Sequence, residues 1–337
     1  MSMKFIRPRY LESFECIAGK CEDSCCKAGW EIPIDEETLS LYNSLGGEIG
    51  KKFQSSTAVG SDGDTVFKLD ENGDCPFLNE QGLCDLYIAT DGRLCEICTN
   101  YPRFIEEFDG FTESGISISC AEAQRIILKA SRDDYPTLPC KSYDELLNFL
   151  SAARLKALDM VYSLPPKRAL NSLLDFGVFL QDIIDFGDVT YIEHVEFYTP
   201  PECFEESDAD ANEALLRLCD LYLDTDIMCD EWRRALEERE FVGKCVDESE
   251  QKAYLAYLVY RYFLKAINYE FVVGIVMTIA GAYILPSVLH GDFYRLARLH
   301  AKEIEHDADN LDALNEAFAE GELDLADFLA IIDELLK

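Results

Sequence analysis

The chain has 337 residues, enough for one large domain or two of ordinary size, and 48% of them are hydrophobic, which excludes a disordered chain. Lys and Arg number 30 against 65 Asp and Glu, so the formal net charge is −35. Because such a surface repels a phosphate backbone, we expect no nucleic-acid partner and an attraction to basic proteins, although the acidity has a second interpretation, in which it only keeps the protein soluble.

The first 140 residues are rich in turns. Asp35 is placed as the N-cap of a short helix whose apolar positions follow a helical spacing. The segment 62–74 predicts a short hairpin, in which the strand TVFKLD is followed by a turn at Glu71-Asn-Gly-Asp74. The segment 103–119 predicts another, with its turn at Asp109-Gly110. Ser119 and Glu122 have the spacing of a capping box, which predicts a helix through about residue 132.

The rest of the chain has the periodicity of helices. Pro136 and Pro139 mark the expected boundary between a region 1–140 and a region 141–337, and Ser142 with Glu145 forms the capping box of the first helix beyond it. The predicted helices are 143–162, 167–186, 208–222, 229–240, 248–269, 271–285, 291–306, 310–319 and 324–336. The predicted fold is therefore mainly α, with a cysteine-rich, metal-binding N-terminal module of short hairpins followed by an all-helical region.

One uncharged stretch, 271–289, is nearly long enough to span a bilayer. Pro286 interrupts it, and the apolar helix before it carries Arg261 and Lys265, so we expect a buried core helix and no membrane association. The first ten residues contain no apolar run of the kind used in export. We therefore expect a cytoplasmic protein whose thiols stay reduced.

The cysteines are the strongest functional signal. Nine of the fourteen lie in the first 120 residues, and several adjoin turn-forming residues: Cys16, Cys21, Cys25, Cys26, Cys75, Cys84, Cys95, Cys98 and Cys120. Short gaps between soft thiolates are typical of metal sites, and this segment contains no histidine. An all-thiolate site suits zinc and an iron–sulfur cluster alike. Nine thiols also exceed one four-ligand site, so one centre or two remain open, and the adjacent Cys25 and Cys26 can serve different sites.

Several spaced motifs within the first 130 residues carry a family resemblance. They are Cys16-Ile-Ala-Gly-Lys-Cys21-Glu-Asp-Ser-Cys25-Cys26-Lys-Ala-Gly-Trp30, Cys75-Pro-Phe-Leu, Gly82-Leu-Cys84, Leu94-Cys95-x-x-Cys98-x-x-Tyr101-Pro-Arg103 and Ser119-Cys120-Ala-Glu122. In this order they resemble the flagellin lysine-N-methylase family, which overlaps a wider group of zinc- or iron-chelating cysteine-cluster proteins. The resemblance implies an iron–sulfur cluster, a [4Fe–4S] cluster by expectation, and methyl transfer from S-adenosylmethionine to lysine side chains of flagellin.

The sequence offers fewer candidate catalytic residues than candidate metal ligands. Methyl transfer needs a neutral amine, and Asp35 and Tyr101, which lie near the cysteines in sequence, are candidates to deprotonate or position it. Arg103 is a candidate to hold a cofactor carboxylate, and a structural ion pair is its alternative role. The sequence shows neither a strand-to-helix G-x-G-x-x-G element nor a Cys-x3-Cys-x2-Cys motif, so no pocket for S-adenosylmethionine is predicted.

Two functions of other classes compete with methylation of a lysine-bearing protein. The first is a non-enzymatic interaction protein in which zinc or a cluster organises the cysteine-rich region. The second is an electron carrier or redox sensor. Metal content and affinity for S-adenosylmethionine separate the three hypotheses.

Overall fold

The structure, a computed structural model, describes residues 4–60, 63–190, 192–204 and 207–336. It is mainly helical, with 58% helix and 8% strand, which confirms the mainly α prediction. The strands are β1 Lys4–Ile6, β2 Thr57–Val59, β3 Thr65–Phe67, β4 Arg103–Phe108 and β5 Phe111–Ile116. The helices are α1 Glu36–Asn43, α2 Gly47–Ser55, α3 Asp85–Ala89, α4 Glu96–Asn100, α5 Ala121–Ile127, α6 Glu145–Ser163, α7 Pro166–Phe186, α8 Glu193–Phe197, α9 Ala211–Leu223, α10 Asp230–Glu238, α11 Glu248–Tyr262, α12 Ala266–Tyr269, α13 Val272–Val288, α14 Phe293–Ile304, α15 Ala308–Glu320 and α16 Leu325–Leu335.

The described residues form two small sheets, one of three strands and one of two. The larger has the order β1-β5-β4, and β1 lies parallel to β5 with Lys4 opposite Phe111. Strands β4 and β5 confirm the hairpin predicted at 103–119, and Gly110 takes the positive φ of +83° that its turn requires. The smaller sheet pairs β2 and β3 in antiparallel fashion.

The hairpin predicted at 62–74 is wrong in its pairing, and Asp62 lies outside the described residues. Strand β3 does form, but its partner is the upstream strand β2. The residues after β3 close a turn of their own: the Asp70 carboxylate accepts hydrogen bonds from the backbone N–H groups of Asn72 and Asp74, at 2.8 and 2.9 Å. This turn lies at the position predicted for it, Glu71-Asn-Gly-Asp74, and leads into Cys75.

The helix starts are confirmed in one case and corrected in another. Asp35 caps α1 as predicted, since its carboxylate accepts a hydrogen bond from the Thr38 backbone N–H at 2.9 Å. The N-cap of α6 is Asp144 and not Ser142, because Asp144 accepts from the Leu147 backbone N–H while the Ser142 hydroxyl donates to Asp109. Helix α5 ends at residue 127, earlier than predicted.

Spatial contacts divide the chain into two compact units, and neither is one continuous segment. We call Phe14–Phe104 with Cys120–Ala123 the cysteine unit, and Met1–Ser13, Ile105–Ser119 and Gln124–Lys337 the helical unit. The units follow contacts in space, so a domain boundary near residue 140 stays a prediction.

Helix α13 is the centre of the helical unit. It packs against α7, α11, α14, α15 and α16, and its residues are buried on all sides, as expected for a helix without a polar face. This burial agrees with the core-helix interpretation of 271–289. Within the described ranges, no helix combines the length and the apolar character needed to cross a membrane.

Candidate metal centre

All nine cysteines singled out from the sequence lie in the cysteine unit, including Cys120, which is separated in sequence from the others. The other five lie in the helical unit: Cys140, Cys203, Cys219, Cys229 and Cys245. Within the described ranges, which include every cysteine of the chain, no disulfide bond is formed. The nine thiols are therefore gathered in one compact unit without covalent links between them.

Five of these thiols adjoin the aromatic core of the cysteine unit. The core is built on the rings of Tyr42, Phe53, Phe67 and Phe77, whose centroids lie 5.2 to 6.4 Å apart in the pairs that touch. Cys75 and Cys95 are buried in it, and three partly buried cysteines pack against it. We call this set the inner thiol group: Cys26, Cys75, Cys84, Cys95 and Cys98.

Turns and helix starts bring the inner thiol group together. The Cys75 backbone N–H donates to the Cys26 carbonyl at 2.8 Å, joining two segments about fifty residues apart. Nearby, Gly73 has a φ of +79°, and a Cβ added there would lie 3.3 Å from the Cα of Gly29, so two glycine turns meet closely. Cys95 directly precedes α4 and Cys98 lies one turn further, which places both on one face.

Hydrogen bonds between thiols set their protonation. The Cys25 thiol donates to Cys26, which lowers the pKa of Cys26 to about 7 and raises the pKa of Cys25. The Cys98 thiol likewise donates to Cys95, which lowers the pKa of Cys95 and raises the pKa of Cys98. Burial raises the pKa of Cys75 to about 12. In each bonded pair the accepting thiol therefore ionises more readily than the donating one, and thiolate is the form that binds metals.

The remaining four cysteines form a second neighbourhood, which we call the outer thiol group: Cys16, Cys21, Cys25 and Cys120. Cys16 and Cys21 flank a tight turn, in which the Ala18 backbone N–H approaches the Cys16 sulfur at 3.4 Å. Burial raises the pKa of Cys120, and the thiols of Cys21 and Cys16 raise it further, so the three lie near one another. Cys25 is close to Cys16 and Cys120 as well as to Cys26. The neighbouring residues Cys25 and Cys26 therefore connect the outer thiol group to the inner one.

The coordination geometry of a metal is not formed by these side chains. In the part of the chain that the structure describes, no group of three or more His, Cys, Asp or Glu side chains is arranged to hold a metal ion. Two pairs of thiols, Cys25 with Cys26 and Cys95 with Cys98, are hydrogen-bonded to each other instead. The donor set itself, with up to five thiols against one core and no imidazole, has the chemistry that zinc and iron–sulfur clusters require.

The predicted catalytic candidates have structural partners. The two oxygens of Asp35 accept backbone N–H bonds from Thr38 at 2.9 Å and Glu96 at 2.8 Å, and these bonds lower the pKa of its carboxyl. Asp35 therefore ties α1 to α4 and acts as the cap that was the alternative interpretation.

Aromatic contacts account for the other two candidates. The Tyr101 ring meets Trp30 edge to face, with centroids 5.2 Å apart. The Arg103 guanidinium lies over the Phe14 ring, 5.0 Å from its centroid. Both candidates thus contribute contacts within the cysteine unit.

The sequence did not predict a second candidate site, which is a pocket of about 650 Å³ in the helical unit. It is lined by a buried network of charged residues that includes Glu106, Arg261, Lys265 and Glu305. The signal in the sequence was the pair Arg261 and Lys265, four residues apart in an otherwise apolar helical segment. The sequence analysis used this pair only as evidence against a membrane span. Charged side chains in an apolar helix also need partners elsewhere in the fold.

Comparison with known proteins gives no further indication of function, because no protein-family model, no curated protein and no solved structure matches this chain.

Proposed function

We propose that this protein is an S-adenosylmethionine-dependent lysine N-methyltransferase acting on flagellin or a similar lysine-bearing protein, and that its cysteine unit binds an iron–sulfur cluster, with zinc as the alternative. One observation carries the metal-binding part of the proposal. Nine cysteines spread over more than a hundred positions of the chain belong to one compact unit and lie close enough to interact.

The inner thiol group would hold the metal. It contains five thiols beside one aromatic core, which is enough for a four-ligand site, and the turns at Gly29 and Gly73 already bring its segments together. When bound, such a centre supplies metal–thiolate cross-links between the loops, and their formation releases thiol protons. The thiol–thiol hydrogen bonds of Cys25 with Cys26 and of Cys95 with Cys98 would give way to those links.

Methyl transfer rests on the family resemblance and on charge. The formal net charge of −35 favours encounter with a basic acceptor and suits a target that presents lysines. The acceptor amine must lose its proton before it attacks the sulfonium methyl group. Asp35, Tyr101 and Arg103 do not support this step, because each is engaged within the cysteine unit.

Anaerobic purification of the full chain, followed by iron, sulfide and zinc analysis, tests the proposal. The purified protein is then incubated with methyl-labelled S-adenosylmethionine and flagellin, and the label is located by peptide mapping. We expect bound iron and sulfide together with labelled lysine. The Cys95→Ser/Cys98→Ser double variant leaves only three inner thiols and should lose metal, whereas Cys203→Ser, a change at an exposed cysteine outside the cysteine unit, should keep it.

Each other outcome has a definite meaning. Metal-free wild-type protein, or unchanged metal content in the Cys95→Ser/Cys98→Ser double variant, refutes the metal-binding part. Bound zinc without affinity for S-adenosylmethionine supports a non-enzymatic interaction protein. A reversible cluster potential without any methyl acceptor supports an electron carrier or redox sensor.

A further inference from the structure

A smaller cavity of the helical unit, with a volume of about 270 Å³, lies beside the end of α13. We call it the α13 cavity. The starts of α7 and α11, the end of α13 and the segment before α11 contribute its walls, so it is formed by tertiary packing. Its apolar lining comes from Pro165, Pro166, Val246, Tyr283 and Leu336.

Backbone and side-chain hydrogen bonds place Lys244 in the wall of this cavity. The Val242 N–H donates to the Val288 carbonyl at 2.6 Å, which holds the segment before Lys244 against the last turn of α13. The Lys244 ammonium then donates to the Pro286 carbonyl at 2.9 Å. Pro286 is followed directly by Ser287, which also lines the cavity. Lys244 is partly exposed, so a ligand in the cavity can reach it.

The neutral polar side chains of the wall bond to the protein itself. The Gln251 amide donates to the Val246 carbonyl at 2.7 Å and accepts from the Tyr283 hydroxyl at 2.9 Å. The Ser287 hydroxyl donates to the Tyr283 carbonyl at 2.7 Å. These bonds fix the shape of the wall and occupy the groups that make them.

Two other charged side chains line the cavity, and each has a partner of opposite charge. Lys167 Nζ lies 3.6 Å from the Asp333 carboxylate and donates to the Asp333 carbonyl at 2.7 Å. Glu248 Oε1 lies 2.8 Å from Lys252 Nζ. Lys244 differs from both, because no carboxylate of the described residues forms an ion pair with it.

The Lys244 ammonium therefore has both charge and hydrogen-bonding capacity to spare. It carries three N–H donors, and the described part of the chain uses one of them, in the bond to Pro286. Burial lowers the pKa of Lys244 to about 8, and the more distant charge of Asp292 opposes this only in part. A partly buried cation without a counter-ion gains most from an anion that a ligand brings.

We propose that the α13 cavity binds a small organic monoanion, a carboxylate with an apolar body, and that Lys244 supplies its counter-charge. One unpaired cation matches one carboxylate, whereas a phosphate dianion would bring more charge than one lysine balances. The apolar lining suits an aliphatic or aromatic body, and a volume of about 270 Å³ suits a small one. This site does not depend on metal binding or on methyl transfer.

Titration calorimetry on the full-length chain tests the proposal with two matched probes. Hexanoate and hexanamide share the same carbon chain, and only hexanoate is charged. We expect hexanoate to bind at least about tenfold more tightly, since hydrogen bonds between charged groups are worth about a factor of ten or more. Equal affinities for the two probes, or no binding of hexanoate, would overturn the proposal.

Variants at Lys244 test the source of the counter-charge. Lys244→Met removes the charge and keeps an unbranched side chain, so the preference for hexanoate over hexanamide should disappear. Lys244→Arg keeps the charge and should retain most of that preference. Lys51→Met, a matched change at a lysine whose side chain is 77% exposed on α2, should leave both affinities unchanged. A preference for hexanoate that survives in Lys244→Met would refute the role of this lysine.

A third variant tests whether the ligand lies inside the cavity. Ser287→Leu fills space in the wall, leaves every charge in place and removes only a hydroxyl that bonds within its own helix. It should weaken hexanoate binding by about tenfold or more, because expelling two methylene groups from an apolar site costs about that factor. Unchanged hexanoate affinity in Ser287→Leu would place the anion elsewhere and refute the site.

Discussion

Replacing Arg261 with methionine tests the charged network that lines the pocket. The Arg261 side chain is 6% exposed and contacts two carboxylates, Glu106 at 2.6 Å and Glu305 at 3.6 Å. Methionine keeps much of the apolar volume and removes the charge, so both carboxylates lose a partner. Removing one member of a buried ion pair costs about 3–5 kcal/mol of unfolding free energy. A domain with a stability of about 5–15 kcal/mol would remain folded, with a much lower denaturation midpoint.

The cost in Arg261→Met should depend on pH. Burial raises the pKa of Glu305 above the unfolded value of 4.5, and Arg261 opposes that rise. Without Arg261 the pKa of Glu305 rises further, so the folded state binds this proton more tightly than the unfolded state. The free energy of unfolding then falls as pH increases above 4.5, by about 1.4 kcal/mol for each unit by which the two pKa values differ. The variant should therefore lose more stability at pH 8 than at pH 5.

Urea unfolding followed by far-UV circular dichroism at pH 5 and pH 8 measures both effects. Arg7→Met is the matched control, because Arg7 pairs with Glu12 at 3.0 Å on the surface, with side chains 49% and 67% exposed. Such a pair contributes about 0–1 kcal/mol, so the control should stay close to wild type at both pH values. A cost below about 1 kcal/mol for Arg261→Met at pH 8, or the same cost at both pH values, would refute the reasoning.

Three further changes test other parts of the structure. Asp35→Ala removes the cap of α1 and should cost about 0.5–2 kcal/mol in urea unfolding, whereas Asp35→Asn, which keeps an acceptor, should cost less. Gly177→Ala should lower the melting temperature, although alanine favours helices, because the new Cβ would lie 3.2 Å from Cγ2 of the stiff side chain Val276; a higher melting temperature would contradict the tight contact of α7 with α13. Burial lowers the pKa of His300 to about 3, so only the unfolded chain takes up this proton between pH 6.5 and 4, and stability should fall over that window; a His300→Gln variant should lose less on acidification from pH 7 to 4.5.

The sequence predicts the long helices well because their apolar spacing reports directly which face is buried. Helices α6, α7 and α13 begin and end within about three residues of the prediction. The helix predicted at 248–269 is interrupted by a 3-10 turn at Phe263–Lys265. Nearly every residue there is apolar or aromatic, so the local pattern contains no signal for the break.

Short elements were harder to predict because their partners are set by tertiary structure. The hairpin at 103–119 was signalled by Asp109-Gly110. The same motif, Asp62-Gly63, lies between β2 and β3, but the prediction placed it at the start of the hairpin and not at its turn. The strand predicted at 65–70 ends at Phe67, and the turn predicted at Glu71-Asn-Gly-Asp74 forms, closed by the Asp70 carboxylate. Local side-chain hydrogen bonds competed successfully with strand formation there.

The candidate sites, like the secondary structure, were predictable only in part. Cysteine spacing identified nine thiols, and all of them lie in one unit, but the spacing did not show which thiols meet. That depends on contacts such as the Cys75 N–H with the Cys26 carbonyl. The pocket was beyond prediction from one sequence, because Glu106, Arg261 and Glu305 lie far apart in the chain and become neighbours only through packing.

The parallel pairing of β1 with β5 has a consequence for the order of assembly. Lys4 has no pairing partner until Phe111 has been synthesised, and roughly a hundred residues lie between the two strands. At about 5–20 residues per second this interval lasts on the order of five to twenty seconds. Eight of the nine clustered cysteines leave the ribosome within it. Most of these thiols therefore leave the ribosome while the sheet of the helical unit is still incomplete, and the proposed metal centre would be open to loading on the nascent chain.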